Sequence, residues 1–250
     1  MGTTPPGTTS EREASQWVER MFAGIAARYD FANHVLSFNI DRRWRKLLVK
    51  RLAPVLKEPN AKILDLCCGT GDVLLDLQHV AATAVMGADF CHPMLISARQ
   101  KARKKGIRAP LMEADALRLP LCDDSLDAIT IAFGFRNLTN YRAGFNELHR
   151  VLKPGGMLAI LEFSHPRGFF IKAGYGFYSR FLLPLVGKAL AGSREAYSYL
   201  PDSIRAFPEP EILCEMMESA GFGRPRYELL TGGIAALHMG VKSAPGGAGE

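Results

Sequence analysis

Short apolar runs alternate with helix-spaced apolar residues through the middle of this chain. Ile63, Leu64 and Leu66 form the first run, and Val73, Leu74, Leu75 and Leu77 then recur at the spacing of one helix face. Further runs at 82–88, 109–113, 126–133 and 157–163 read as strands, with a helical pattern at 141–152 and the turn Lys153-Pro-Gly-Gly156 before the fifth. This alternation predicts an α/β fold, a doubly wound, Rossmann-like parallel sheet with helices on both faces. A helix at 209–220 closes at Gly221, and strands at 224–230 and 234–241 bring the sheet to seven. Thr231-Gly-Gly233 between them is hairpin chemistry, so the last strand should be antiparallel and form the final edge.

Outside that core the pattern changes twice. Residues 14–56 should form a helical lid over the sheet: Trp17, Met21 and Ile25 share one side of the first helix, and Asp41 caps a second that runs through Trp44, Leu47, Leu48 and Leu52 and stops near Pro54. Residues 164–207 interrupt the alternation and are expected to be a helical cap insertion on the substrate side. Within it, 169–190 is aromatic-rich but punctuated by Lys172, Arg180 and Lys188, hence amphipathic. The whole of 14–242 reads as one domain, with polar, glycine-rich tails at 1–13 and 243–250 expected to be disordered. No uncharged apolar run reaches the roughly eighteen residues of a membrane span, and the N-terminus lacks the apolar core of a signal peptide.

The candidate chemistry starts in the turn between the first strand and its helix. Gly69, Thr70 and Gly71 can bring a ligand close to the backbone beside a helix N-terminus. A phosphate is a poor fit, because Leu74 replaces the third glycine of a dinucleotide fingerprint and Asp65 and Asp72 flank the loop. S-adenosyl-L-methionine, with a sulfonium, an ammonium group and no phosphate, suits the acids better; another nucleotide or a purely structural turn are the alternatives. Asp89 ends the second strand where such folds place an acceptor for ribose hydroxyls, and Asp115 with Ala116 follows the third. Either acid alone would serve as a helix N-cap, but three in register line one crevice.

Composition narrows the partners. The chain has 250 residues, 48% hydrophobic and 22% charged, as in a soluble globular protein. Its five cysteines include adjacent Cys67 and Cys68, which suit neither a disulfide framework nor a zinc site and read as small buried side chains in a reducing cytosol. The net charge of +6 gathers in 42–51 and 99–108 without interleaved aromatics, which argues against nucleic acid and is compatible with an anionic membrane surface.

From about residue 15 to 242 the chain resembles the ubiquinone/menaquinone biosynthesis C-methyltransferases. The matching stretches include Phe22-Ala-Gly-Ile-Ala-Ala-Arg-Tyr-Asp30 with Asn33, Leu64-Asp-Leu-Cys-Cys-Gly-Thr-Gly-Asp72, Phe133-Gly-Phe-Arg-Asn-Leu138, Leu161-Glu-Phe-Ser164 and Tyr199-Leu-Pro-Asp-Ser-Ile204. The resemblance implies a class I methyltransferase sheet and cofactor contacts at Thr70, Asp89, Asp115 and Ala116, although Ala132 stands where the family usually has serine. It also implies C-methylation of a prenylated quinol. Demethylmenaquinol is favoured, because nothing resembles a mitochondrial transit peptide; 2-methoxy-6-polyprenyl-1,4-benzoquinol or another small apolar acceptor remain open. A regulatory module that binds cofactor without turnover is the non-enzymatic alternative.

Candidates to bind or deprotonate the ring hydroxyl are Arg136, Asn137, His165, Tyr199 and Ser203. Arg136 and Asn137 follow a central strand and should face the crevice, with a structural ion pair the competing role for Arg136. Tyr199 and Ser203 lie one helical turn apart, and His165 follows the fifth strand. No metal-ligand cluster is seen, and methyl transfer from a sulfonium needs none. The expected location is the cytoplasm, peripheral to the inner face of the membrane.

Overall fold

In the computed structural model, which describes residues 2–26, 29–30, 37–168, 176 and 194–244 and only the backbone of 194–198, seven strands form one sheet. They are β1 (Ile63–Leu66), β2 (Met86–Asp89), β3 (Leu111–Glu113), β4 (Leu126–Ala132), β5 (Leu152–Phe163), β6 (Phe222–Leu230) and β7 (Ala235–Lys242). Their order is β3-β2-β1-β4-β5-β7-β6, with parallel pairing from β3 through β5. The chain winds outward from β1 to β3 and returns to β4, so the loops after β1 and β4 part and leave a crevice at the carboxyl edge. The last strand, β7, is antiparallel as expected, yet it does not form the edge. It inserts between β5 and β6, and β6 takes the edge. Lys153-Pro-Gly-Gly156 does not precede β5 but lies within it, looped out where the register shifts from Leu126/Leu152 to Ala128/Met157.

Strand side chains feed two cores alternately. In β5, Leu158 and Ile160 enter one, while Ala159 and Leu161 enter the other. The first core receives Phe145, Leu148 and Val151 from α5 (Tyr141–Val151) and Leu213 and Met217 from α7 (Pro210–Ser219). The second receives Val73, Leu74 and Leu77 from α3 (Asp72–Gln78) and Leu48, Leu52 and Leu56 from α2 (Asp41–Leu56). Each such side chain contributes about 1.5–3 kcal/mol by leaving water. α2 is therefore a core helix and not part of a lid. It also runs on through Pro54, and Asp41 does not cap it: Ile40 is the N-cap, while Asp41 is buried against Arg45 at 3.2 Å and Ser37 at 2.6 Å.

The lid role falls to α1 (Glu11–Ile25), which packs beside α4 (His92–Lys104). It starts earlier than its apolar spacing shows, because Ser10 accepts from the Glu13 N–H at 3.2 Å and Glu13 reaches back to the Thr9 N–H at 2.7 Å. Residues 2–10 are not a loose tail either, since Thr3 and Pro5 are buried. Of the cap insertion, α6 (Arg194–Ala206) is described. The amphipathic stretch 169–190, apart from Gly176, lies outside the described residues, as do Asn33 and residues 245–250.

One contact fixes how closely the loops after β1 and β4 approach. Cys67 adopts a left-handed backbone, φ 53°, and its Cβ faces Gly134 so closely that a Cβ added there would sit 2.4 Å away. Neither atom sits on a flexible side chain, so the backbone would have to move. Gly134→Ala is expected to lower stability by about 1–3 kcal/mol in urea denaturation. Adding Cys67→Gly, which removes the opposing atom, should restore most of it; a double variant as unstable as Gly134→Ala would show that another contact sets the spacing.

Candidate active site

The crevice lies between the carboxyl ends of β1, β2, β3 and β4, with Ser15, Val18 and Phe22 of α1 across it, and encloses roughly 710 Å³ including its open mouth. The glycine turn forms its floor. Gly69 (φ 52°) and Gly71 (φ 85°) take left-handed conformations, and a Cβ on Gly71 would meet that of Ala98 at 3.1 Å, so α4 packs against the turn as closely as glycine allows.

Asp89 stands at the end of β2 with little exposed surface. Its Oδ2 accepts from the Gly69 N–H at 2.8 Å and its Oδ1 from the Cys91 N–H at 2.9 Å, which leaves the outer lone pairs toward the crevice it lines. Burial pushes its carboxyl up to about 6. Asp115 and Ala116 line the same crevice beyond β3, and Asp115 is steadied by the Leu117 N–H at 2.9 Å. Asp65 is placed differently. It lies beneath the turn and outside the lining, where its Oδ1 accepts from Thr130 at 2.7 Å and burial pushes it up to about 7. Burial also raises the Cys67 thiol well above its ordinary value, so it stays a neutral wall.

The charges flanking the turn are already paired. Asp72 accepts from Arg45 at 2.7 Å and Lys101 at 2.6 Å, and Lys101 also reaches Asp30 at 2.6 Å and Thr70 at 3.2 Å. The Thr70 hydroxyl donates to Asp30. Asp72 therefore offers no free negative charge to a ligand, contrary to its reading from sequence. Lys101 is a member of the basic helix face that turns inward; with Arg45 and Asp30 it was not singled out from sequence, and only the stretch ending at Asp30 carried a signal.

At the other end of the crevice, the one-turn helix Phe135–Asn137 after β4 carries two of the expected residues. Asn137 lines the crevice, and its Oδ1 accepts from Tyr199 Oη at 3.0 Å. Arg136 turns the other way. Its Nη1 lies 3.1 Å from Glu162 Oε1 and 2.5 Å from the Phe133 carbonyl, its Nε 3.3 Å from Ser203 Oγ, and its guanidinium 5.6 Å from the Phe163 ring. Glu162 has no exposed surface, and burial holds its carboxyl above the usual value against the pull of Arg136. Ser203 in turn donates its hydrogen to the Leu200 carbonyl at 3.0 Å, so its hydroxyl meets Arg136 as an acceptor. His165 is apart from this cluster, with Nδ1 3.4 Å from Glu209.

These lining residues test the cofactor. Among the described residues the crevice carries two carboxylates, Asp89 and Asp115, and no lysine or arginine. Such a lining repels phosphate and fits a nucleoside whose two ribose hydroxyls need an acceptor.

The strand order, the antiparallel β7 and this phosphate-averse crevice define a class I S-adenosylmethionine-dependent methyltransferase. The chain belongs to the ubiE/COQ5 methyltransferase family, whose sequence profile matches residues 9–242, and its cofactor is S-adenosyl-L-methionine. It is 49% identical over 221 residues to the demethylmenaquinone methyltransferase of Thermus thermophilus, covering 88% of this chain and 99% of that one. It is 41% identical over 234 residues to the ubiquinone/menaquinone biosynthesis C-methyltransferase UbiE of Geotalea daltonii, covering 92% and 98%. The crystal structure of a SAM-dependent methyltransferase from Aquifex aeolicus shares the fold, with a TM-score of 0.54 at 21% identity over 77% of this chain and 88% of that one.

Two outcomes follow from the burial of these groups. Arg136→Ala leaves Glu162 uncompensated and is expected to destabilise by about 3–5 kcal/mol, with a smaller loss in Arg136→Ala/Glu162→Ala, both read from denaturant midpoints. A carboxyl at Asp89 could accept two ribose hydroxyls only when ionised, so cofactor affinity measured by calorimetry should be level above about pH 6 and fall below it. Asp89→Asn should bind weakly and lose that step. The folding contribution has the opposite sign: an acid raised in the folded state favours the apo fold below about pH 4, and that advantage is lost as pH rises through about 6.

Proposed function

We propose that this enzyme methylates a ring carbon of a prenylated quinol, demethylmenaquinol in particular. The observation that carries the reading is the hydroxyl-and-amide pair of Tyr199 and Asn137 at the far end of the cofactor crevice, backed by Arg136. The name of the Thermus thermophilus relative, demethylmenaquinone methyltransferase, supports the choice of acceptor.

When bound, the cofactor supplies an activated methyl group on a sulfonium. Asp89 would hold the ribose hydroxyls, Asp115 and Ala116 the neighbouring part of the nucleoside, and Gly69 would let the ligand approach the loop backbone. Gly71, Thr70 and Asp65 act on that loop from behind. Asn137 would meet the ring oxygen. Arg136, paired with Glu162 and turned away from the crevice, would hold the one-turn helix that presents Asn137 to that oxygen, whose ordinary pKa near 10 must be overcome to make the adjacent carbon nucleophilic. Ser203 is assigned to Arg136 and His165 to its contact with Glu209, and neither to the substrate. The walls of Phe90, Phe133 and Leu138 exclude water. A quinone, lacking ionisable ring hydroxyls, would not react.

Because a prenylated quinol resides in a membrane, we place the enzyme against the cytoplasmic face, where its net charge of +6 favours anionic lipid. Among the described residues no helix is long and apolar enough to cross a membrane. The test is methyl transfer from labelled S-adenosylmethionine to reduced demethylmenaquinol and, separately, to reduced 2-methoxy-6-polyprenyl-benzoquinol, each with its quinone as control. Transfer to the naphthoquinol and to neither quinone is expected. Transfer to the benzoquinol alone would change the substrate, and binding of cofactor without transfer to either would sink the reading.

A further inference from the structure

The N-terminal segment brings a residue from the start of the chain to the substrate end of the crevice. Thr3 is buried, its N–H donates to the Leu138 carbonyl at 2.8 Å, and its Oγ1 lies 2.9 Å from Tyr199 Oη. Tyr199 Oη in turn donates to Asn137 Oδ1 at 3.0 Å.

The direction of this chain follows from the orientation of the Asn137 amide, whose Oδ1 faces Tyr199. A phenol has one hydrogen, and with that hydrogen given to Asn137 the bond between Thr3 and Tyr199 is donated by Thr3. A side-chain amide has one acceptor end and one donor end. With Oδ1 taken by Tyr199, the Nδ2 end of Asn137 is the one left for a ligand in the crevice. Burial pushes the Tyr199 phenol above its ordinary value, so it retains the hydrogen on which the chain depends.

We propose that Thr3 is a positioning residue for methyl transfer: the one-directional chain Thr3 to Tyr199 to Asn137 holds the Asn137 amide with its N–H groups toward the substrate's ring oxygen. The proposal rests on the quinol reading given above. The chain selects an acceptor, and a ring oxygen that gains negative charge as its proton leaves is stabilised by N–H donors and repelled by a carbonyl. Without the Thr3 hydroxyl, the Asn137 amide is the remaining side-chain hydrogen-bond partner of Tyr199 Oη among the described residues. The amide can then turn over and present Oδ1 to the crevice.

The segment is held in place by more than this hydroxyl. The Thr3 backbone bond to Leu138 remains after side-chain substitution, as does the Glu11 bond to Asn140 at 3.0 Å, and Trp17 packs on Tyr199 with ring centroids 5.1 Å apart. Thr3→Val therefore removes the hydroxyl while keeping the shape, and Thr3→Ser restores it. Thr3→Val is expected to lower kcat roughly three- to tenfold, the worth of one hydrogen bond, with cofactor affinity unchanged and Thr3→Ser close to wild type. Independently of turnover, the Asn137 side-chain ¹H–¹⁵N signals, assigned by their loss in Asn137→Asp, should shift in Thr3→Val and stay put in Thr3→Ser. A Thr3→Val protein with wild-type kcat overturns the proposal. So does a Thr3→Ser protein as slow as Thr3→Val, which would mean packing and not the hydroxyl, or a Thr3→Val protein that also loses cofactor affinity. If the wild-type enzyme is inert toward the quinol, it is the quinol reading that fails. The amide signals then decide the role of Thr3, and unshifted signals in Thr3→Val overturn it.

Discussion

A carboxylate with no water around it must be paired, and Glu162 near the carboxyl end of β5 is paired with Arg136. Much of the substrate end hangs on that constraint. The pair ties the one-turn helix after β4 to the neighbouring strand, both through the guanidinium and through the Arg136 N–H, which donates to Glu162 Oε2 at 3.2 Å. Ser203 brings α6 to the same guanidinium, and the Tyr141 hydroxyl binds the Arg136 carbonyl at 3.0 Å. With its neighbour held by three elements, β5, α5 and α6, Asn137 has little backbone freedom. Replacing such a pair with apolar residues often leaves a protein no less stable. What the pair does here is position the one-turn helix that carries Asn137.

The cofactor end is organised by a different separation of charge. Its acids fall into two sets that look alike in sequence. Asp72 and Asp30 are neutralised by Arg45 and Lys101, whose bonds brace α2, α3 and α4 around the glycine turn. Among the described residues, Asp89 and Asp115 have no such cation in the crevice they line. The first set makes the turn rigid, and the second keeps it unsuitable for phosphate. Cys67 and Gly134 then fix the width of the opening, with a left-handed residue on one loop facing the single position on the other that has no side chain.

The central strands β1, β4 and β5 were legible because they are buried over most of their length and read as mainly apolar runs. The boundaries that moved did so for local reasons. Residues 82–85 look like strand, but Gln78 captures them, with Nε2 on the Thr83 carbonyl at 3.0 Å and Oε1 on the Val85 N–H at 2.8 Å, and β2 starts only at Met86. Asp89, Asp115 and Ala116 could be placed from strand ends alone, since the C-terminal residue of a parallel strand has one crevice to face. Asp65 could not, because whether it points up or down depends on Thr130 in the adjacent strand. Glu162 is a charge inside an apolar run, a pattern that does not say which residue meets it. Lys101 left none, being one basic residue among several on an exposed helix face.

Thr3 illustrates the limit most clearly. Glycine, proline and threonine at the start of a chain have the composition of a segment that cannot build a core, and on composition alone disorder is the correct inference. The segment is ordered because it need not build one. It lies on a surface made by residues 138–139 and Tyr199, and its backbone bond to Leu138 is available to almost any residue. Only the Thr3 side chain is specific. An interaction of that kind leaves no periodicity and no motif, because its partners lie 196 residues apart in sequence and meet only after α1 has crossed the crevice and α6 has brought Tyr199 over Asn137.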